Sequence, residues 1–226
     1  MGTRCLICVR VDARWAVAQN SQWDGFPTGQ GLTLFRFLHV KGNVARLRAG
    51  LAHVFEPTKE ELRETAQSIR AERERLSAQD PDDLHEYLTS RREFLSVIPR
   101  GQVGESTVRT YLGMFDLSTE MFPSLSHHTG GKILDLIADA DAQHRVPIRL
   151  DLEFAADSFH CAWAYIVDLD EERLKIFGGR DITHEGHPFS DAGDWLEVPM
   201  LLLTFTFAEL QSWDEDEFRR RVQDYH

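Results

Sequence analysis

The chain has 226 residues, 42% hydrophobic and 27% charged, with 37 Asp and Glu against 25 Lys and Arg. That length can bury a substantial core, and the composition excludes global disorder. The formal charge of −12 opposes broad contact with a phosphate backbone or an anionic bilayer, so neither nucleic acid nor membrane is expected as a partner.

Residues 3–11 read as a strand that is apolar on both faces, and therefore central in a sheet. Asp12 to Arg14 can turn the chain, and Trp15 to Gln22 read as the returning strand. A Gly-rich loop, Gln22-Trp23-Asp24-Gly25-Phe26-Pro27-Thr28-Gly29-Gln30-Gly31, then leads into a short buried helix, Leu32 to Leu38, which stops near Gly42. Asn43 is expected to cap a helix that places Leu47, Leu51, Val54 and Phe55 on one face. Thr58 and Glu61 fit a capping box for a charged helix carrying Leu62, Ala66, Ile69 and Leu76. Asp80 before Pro81 starts another, with Leu84, Leu88 and Leu95 at helical spacing.

Residues 99–106 read as a loop and 107–115 as a strand. His127 to Gly131 lead into a helix with Ile133, Leu134, Leu136 and Ile137. Strands are predicted over 148–154, 159–168 and 173–178, the last two joined by the acidic turn Asp168 to Arg173. Arg180 to Asp194 lacks periodicity and reads as a long surface loop. Val198 to Phe207 is the final strand, and Ser212 with Glu215 makes a capping box for a terminal helix carrying Phe218 and Val222. Hairpins and helices are segregated, which favours an α+β fold, antiparallel hairpins packed with a helical middle segment, as one domain over residues 1–226.

No targeting segment is visible. The apolar run Cys5 to Val9 is too short for a signal peptide, and Leu6 stands where a myristoylation motif wants Ser or Thr. Three cysteines, an odd number, argue against a disulfide framework and fit a reducing compartment, so a cytoplasmic protein is expected.

The loop 22–31 offers chemistry. Amides of Thr28, Gly29, Gln30 and Gly31 at a helix N-terminus suit a carboxylate or phosphate, Trp23 offers a stacking wall, and Asp24 an acceptor or base. The expected ligand is a small polar or anionic molecule. The loop is neither a Walker motif nor a dinucleotide fingerprint, and no motif implies a cofactor. The same residues would also serve a purely structural turn, with glycines for unusual backbone angles and Pro27, Trp23 and Phe26 as anchors.

Met1-Gly2-Thr3-Arg4 before a hydrophobic strand, the loop 22–31 itself, and Cys161-Ala162-Trp163-Ala164-Tyr165-Ile166-Val167-Asp168-Leu169-Asp170 resemble a family of uncharacterised proteins. Members usually carry Tyr at the position of Phe26. The resemblance implies membership of a group and no particular activity.

Other clusters have simpler readings beside the chemical ones. Cys5 and Cys8 lie three apart on a strand and point to opposite faces, so they do not make a metal clamp. Cys5 could serve as an N-terminal nucleophile of an amidohydrolase, provided Met1 to Arg4 were removed. His127 with His128, and His160 with Cys161, have side chains that diverge. Asp181, His184 and His187 could hold a divalent metal if their loop folded back, with exposed polar loop as the simpler reading. Asp151, Glu153 and Asp157 alternate along one expected strand, where they would present carboxylates for acid–base work or form its wet face. A third class of reading is a non-catalytic interaction module using the helical region 57–98, which requires an uncovered apolar patch there.

Overall fold

The computed structural model describes residues 2–90, 104–192 and 196–225. The chain is α+β, with a five-stranded, largely antiparallel mixed sheet plus helices. Its contacts gather in two compact units, residues 1–57 with 123–226, and residues 58–122.

The sheet belongs to the first unit. Strands β1 (Arg4–Val11), β2 (Arg14–Ser21), β5 (Cys161–Asp168), β6 (Arg173–Ile182) and β7 (Glu197–Thr206) lie in the order β2-β1-β5-β6-β7. β1 pairs antiparallel with β2 and parallel with β5, with Cys5 opposite Ser21 on one side and Trp163 on the other. Cys5 to Val9 are fully buried, which agrees with the doubly apolar pattern expected of an interior strand. Two short strands, β3 (Val54–Phe55) and β4 (Val146–Pro147), pair separately.

Alternation along the strands divides the core. Cys5, Ile7, Val9, Val17, Tyr165, Val167, Leu174 and Ile176 face one side. There they pack with residues of α1 (Leu32–His39), α2 (Asn43–Gly50), α7 (Ile133–Ala138), α8 (Phe207–Ser212) and α9 (Glu215–Val222). Leu6, Cys8, Ala164, Ile166 and Phe177 face the other side, against Ala155, Phe189 and Val198.

The second unit contains α3 (Lys59–Ser77), α4 (Pro81–Thr89), α5 (Glu105–Met114) and α6 (Leu117–Met121). Its core is Leu76, Leu84, Leu88, Val108, Leu112, Phe115 and Leu117. The Thr58–Glu61 capping box forms in both directions, and Asp80 caps α4 ahead of Pro81. Leu95 lies outside the described residues.

Several expectations are corrected. Residues 105–114 are helical, because Val108, Leu112 and Phe115 make a buried stripe at helical spacing that outweighs the β-branched residues among them. Residues 148–154 form no strand. Leu150 makes an isolated bridge to Ala18, and Leu152–Ala156 is a 3-10 turn. Asp151, Glu153 and Asp157 therefore do not alternate along a sheet face. β6 continues to Ile182, into the stretch expected to be loop. The α2 cap is Gly42 at φ 95°, while the Asn43 side chain donates to the Phe37 carbonyl at 3.0 Å. At the C-terminus, Thr206 and Glu209 form a capping box for α8, and Asp214 rather than Ser212 caps α9. Each true cap holds the extended backbone the position requires, whereas Ser212 is still helical.

No helix among the described residues is long and apolar enough to cross a membrane.

Candidate functional site

The Gly-rich loop closes on itself. Pro27–Gly31 forms one π-helical turn leading directly into α1. The Gly29 and Gly31 amides donate to the Phe26 carbonyl at 2.9 and 3.4 Å, and the Gln30 amide donates to the Asp24 carbonyl at 2.8 Å. The Gln30 side chain donates to the Trp23 carbonyl at 3.0 Å and accepts from the Gly131 amide at 2.7 Å. Gly25 donates to the Thr3 carbonyl at 2.9 Å, and its own carbonyl accepts from the buried Tyr165 hydroxyl at 2.6 Å. A Cβ on Gly29 would run into the Asp24 carbonyl, so the loop needs glycine there for close backbone approach.

The expectation that the Gly29–Gly31 amides await an anion is therefore overturned. All three are already paired within the fold, and the peptide dipoles of the turn are spent on Phe26 and Asp24. Asp24 is exposed, with φ at 54°.

Trp23 points to a different feature. It lines a cleft of about 540 Å³ together with Gly2, Thr3, Arg4, Gln22, Phe159, His160 and Ala162. This cleft lies where β1 and β5 begin and β2 ends: Arg4 and Ala162 reach it from the starts of β1 and β5, and Gln22 from just after β2. Trp23 is 48% exposed and Phe159 is 79% exposed, far more than large aromatic side chains usually are. The Trp23 indole N–H donates to His128 Nε2 at 3.2 Å, which fixes the ring orientation. Asp24, Thr28, Gly29, Gln30 and Gly31 do not line this cleft. An adjoining cleft of about 420 Å³ shares Thr3 and Ala162 and adds Phe26, Trp163, Gly179 and Arg180.

The electrostatics of this corner run against the rest of the chain. Neither lining set contains an Asp or Glu, while Arg4 stands in one and Arg180 in the other. Among the described residues, no carboxylate pairs with Arg4. Arg180 donates to the carbonyls of Cys161 at 2.7 Å, Gly179 at 3.1 Å and Ser158, so it braces the turn entering β5.

That turn carries a dyad. His160 Nδ1 lies 2.7 Å from Asp157 Oδ2, and the His160 amide donates to Asp157 Oδ1 at 3.1 Å. Partial burial raises the Asp157 carboxyl, but the hydrogen bonds from the His160 ring and backbone outweigh it and hold the group below its ordinary value. Where Nδ1–H donates to this carboxylate, Nε2 is left as a hydrogen-bond acceptor.

The other expected sites do not assemble. Cys5, Cys8 and Cys161 are buried free thiols, with Cys5 and Cys8 on opposite faces of the sheet. Burial pushes the Cys5 and Cys8 thiols well above the ordinary value, and Cys161 up to about 12. Cys5 lies within β1, paired on both sides, so the N-terminal nucleophile reading fails on burial and acidity alike. His187 Nδ1 accepts from the Phe189 amide at 3.1 Å, and His184 Nδ1 lies 2.9 Å from the Glu185 carbonyl. Both are turned to backbone partners, and Asp181 completes no three-residue metal cluster among the described residues. Over residues 57–90, the described part of 57–98, no large hydrophobic side chain is exposed.

Arg4, Asp157, Phe159 and His160 were not expected at this site. A signal for one pair was present: Asp157 and His160 stand three apart before a strand, a spacing that lets a carboxylate accept from the amide and ring of the same histidine. Nothing local shows that residues 159–160 meet residues 2–4 and 22–23.

No family model matches the chain, and no curated protein or solved structure matches it at significance.

Proposed function

We propose that the protein binds a small, planar, anionic molecule in the cleft between Trp23, Phe159 and Arg4. One observation carries this reading. In a chain of charge −12, two solvent-exposed aromatic rings line a cleft whose lining residues include Arg4 and no Asp or Glu. Exposed rings offer stacking faces, and an arginine without a carboxylate partner offers its fork to a carboxylate, sulfonate or phosphate. His160 adds a polar side chain to the cleft wall. Small-molecule sites commonly combine apolar walls with a few polar groups in a cleft of this size.

Titration with 8-anilinonaphthalene-1-sulfonate, a fused aromatic ring bearing a sulfonate, tests the reading directly. Saturable binding with energy transfer from tryptophan is expected, and Trp23→Ala or Arg4→Ala should each weaken it about tenfold, equivalent to about 1.4 kcal/mol. Competition by nucleoside monophosphates and aromatic carboxylates then sorts natural ligand classes. Equal binding by wild type and both variants would remove the proposal.

A further inference from the structure

The two adjoining clefts meet where the sheet loses its register. Arg4 of β1 stands opposite Cys161 and Cys5 opposite Trp163, so Ala162 has no counterpart in β1. The ladder of β5 with β6 begins only at Trp163 and Gly178. On the far side of β6, Gly178 faces Met200 and Asp181 faces Val198, which leaves Gly179 and Arg180 opposite Pro199 alone. Gly179 takes a φ of 66°, a backbone angle that favours glycine. Bulges of this kind interrupt pairing and re-aim side chains, and they gather beside functional sites.

The irregular strand ends carry matching chemistry to either side of Thr3 and Ala162, the two short side chains that line both clefts. One side offers Trp23, Phe159 and Arg4. The other offers Phe26, Trp163 and Arg180. Phe26 is 37% exposed, so the second cleft also presents a ring to solvent. Arg180 spends three N–H groups on the carbonyls of Cys161, Gly179 and Ser158. A guanidinium has five, so two remain without a partner among the described residues. Backbone carbonyls leave its charge in place, and no carboxylate among the described residues pairs with it.

Resting on the binding site proposed above, we infer that its ligand is an elongated dianion with an aromatic ring and an acidic group at each end, lying across Thr3 and Ala162 and filling both clefts. A compact monoanion engages one arginine and one aromatic wall, and leaves the equivalent pair next to it unused. A bridging ligand gives each arginine an anion and each cleft a ring. Joining the two halves makes the second contact intramolecular, so the affinity gained exceeds what either half supplies alone.

Calorimetric titration with 8-anilinonaphthalene-1-sulfonate and with its covalent dimer, which joins two ring–sulfonate units, tests the inference. The dimer should bind once per chain and at least about tenfold more tightly than the monomer. Phe26→Ala and Arg180→Gln should each remove most of that advantage, while the Trp23-dependent binding of the monomer stays within about twofold of wild type. Trp23→Ala should weaken both probes. If Arg180→Gln loses the native circular dichroism spectrum, because that side chain also braces the turn into β5, Phe26→Ala carries the comparison alone. A dimer that binds no more tightly than the monomer overturns the bridging ligand. So does an advantage that survives in the folded variants of the second cleft. In both cases a monomer still sensitive to Trp23 and Arg4 leaves the first cleft standing as a site, whereas a monomer indifferent to both residues overturns the two readings together.

Discussion

The hydroxyl of Tyr165, in the middle of β5, donates to the carbonyl of Gly25 at 2.6 Å. This one bond ties the loop bearing Trp23 to an interior strand. Burial raises the phenol well above its ordinary value, so it stays a donor throughout the physiological range. Tyr165→Phe keeps the ring and strands the carbonyl, which should cost about 1–2 kcal/mol in urea denaturation. It should also weaken probe binding in the cleft, because Trp23 loses part of its support.

Two glycine replacements should move stability in opposite directions. Gly29→Ala forces a methyl against the Asp24 backbone, which has no flexible tail to give way. A loss of about 1–3 kcal/mol is expected. Gly113→Ala, in α5, meets nothing within 4 Å. Its expected gain is about 0.5–1 kcal/mol from helix propensity. Thermal melts of both variants check the pair.

His85 is 8% exposed, and neither ring nitrogen has a hydrogen-bond partner among the described residues. A buried polar group left unsatisfied costs about 1–3 kcal/mol. His85→Leu should therefore raise the unfolding midpoint of the unit formed by residues 58–122. Limited proteolysis of that unit under mild denaturant would read the change, and a lowered midpoint would show that the imidazole is satisfied in solution.

Two carboxylates should respond to acid with opposite signs. Asp170 accepts from the Ala13 and Asp12 amides, each at 2.9 Å, which lowers its pKa from the ordinary 3.8. Its contribution is present above the unfolded value and is lost as pH falls through the folded value. Asp151 is raised instead, chiefly by burial, against the opposing pull of Arg149. Its charged form disfavours the fold near neutrality, and that penalty disappears as pH falls through its raised value. Asp170→Asn should thus destabilise at pH 7 and matter little in strong acid. Asp151→Asn should be neutral or stabilising at pH 7, since an amide oxygen can still accept from Asn20, and its advantage should vanish once wild-type Asp151 is protonated. Denaturation curves at neutral and acid pH distinguish the two.

Local rules made parts of this fold legible. The β1–β2 hairpin follows from a doubly apolar run, a turn at Asp12 to Arg14 and a returning strand, and the starts of α3 and α4 follow from cap chemistry at Thr58 and Asp80. Residues 105–114 misled because Thr107, Val108 and Thr110 carry β-branched side chains, while a helical stripe of three buried residues decides the outcome. The site was harder to read. Trp23 stood out as a large aromatic in a polar loop, but Arg4, Phe159 and His160 join it through the parallel pairing of β1 with β5, which no short-range pattern encodes. The loop amides misled for a related reason. Glycine at a helix start signals free donors, whereas the π turn returns them to carbonyls a few residues back.

The parallel pairing of β1 with β5 also constrains how the chain comes together. In β1, Leu6-Ile7-Cys8-Val9 is apolar on both sides, and β2 covers only one of its edges. Its other neighbour does not exist until Cys161 and the residues after it have been synthesised. Nascent chains therefore pass through a long interval with a sticky, half-paired hairpin, and the final sheet closes through contacts of high sequence separation. Slow refolding and a strong dependence of yield on chain concentration follow from that order of events.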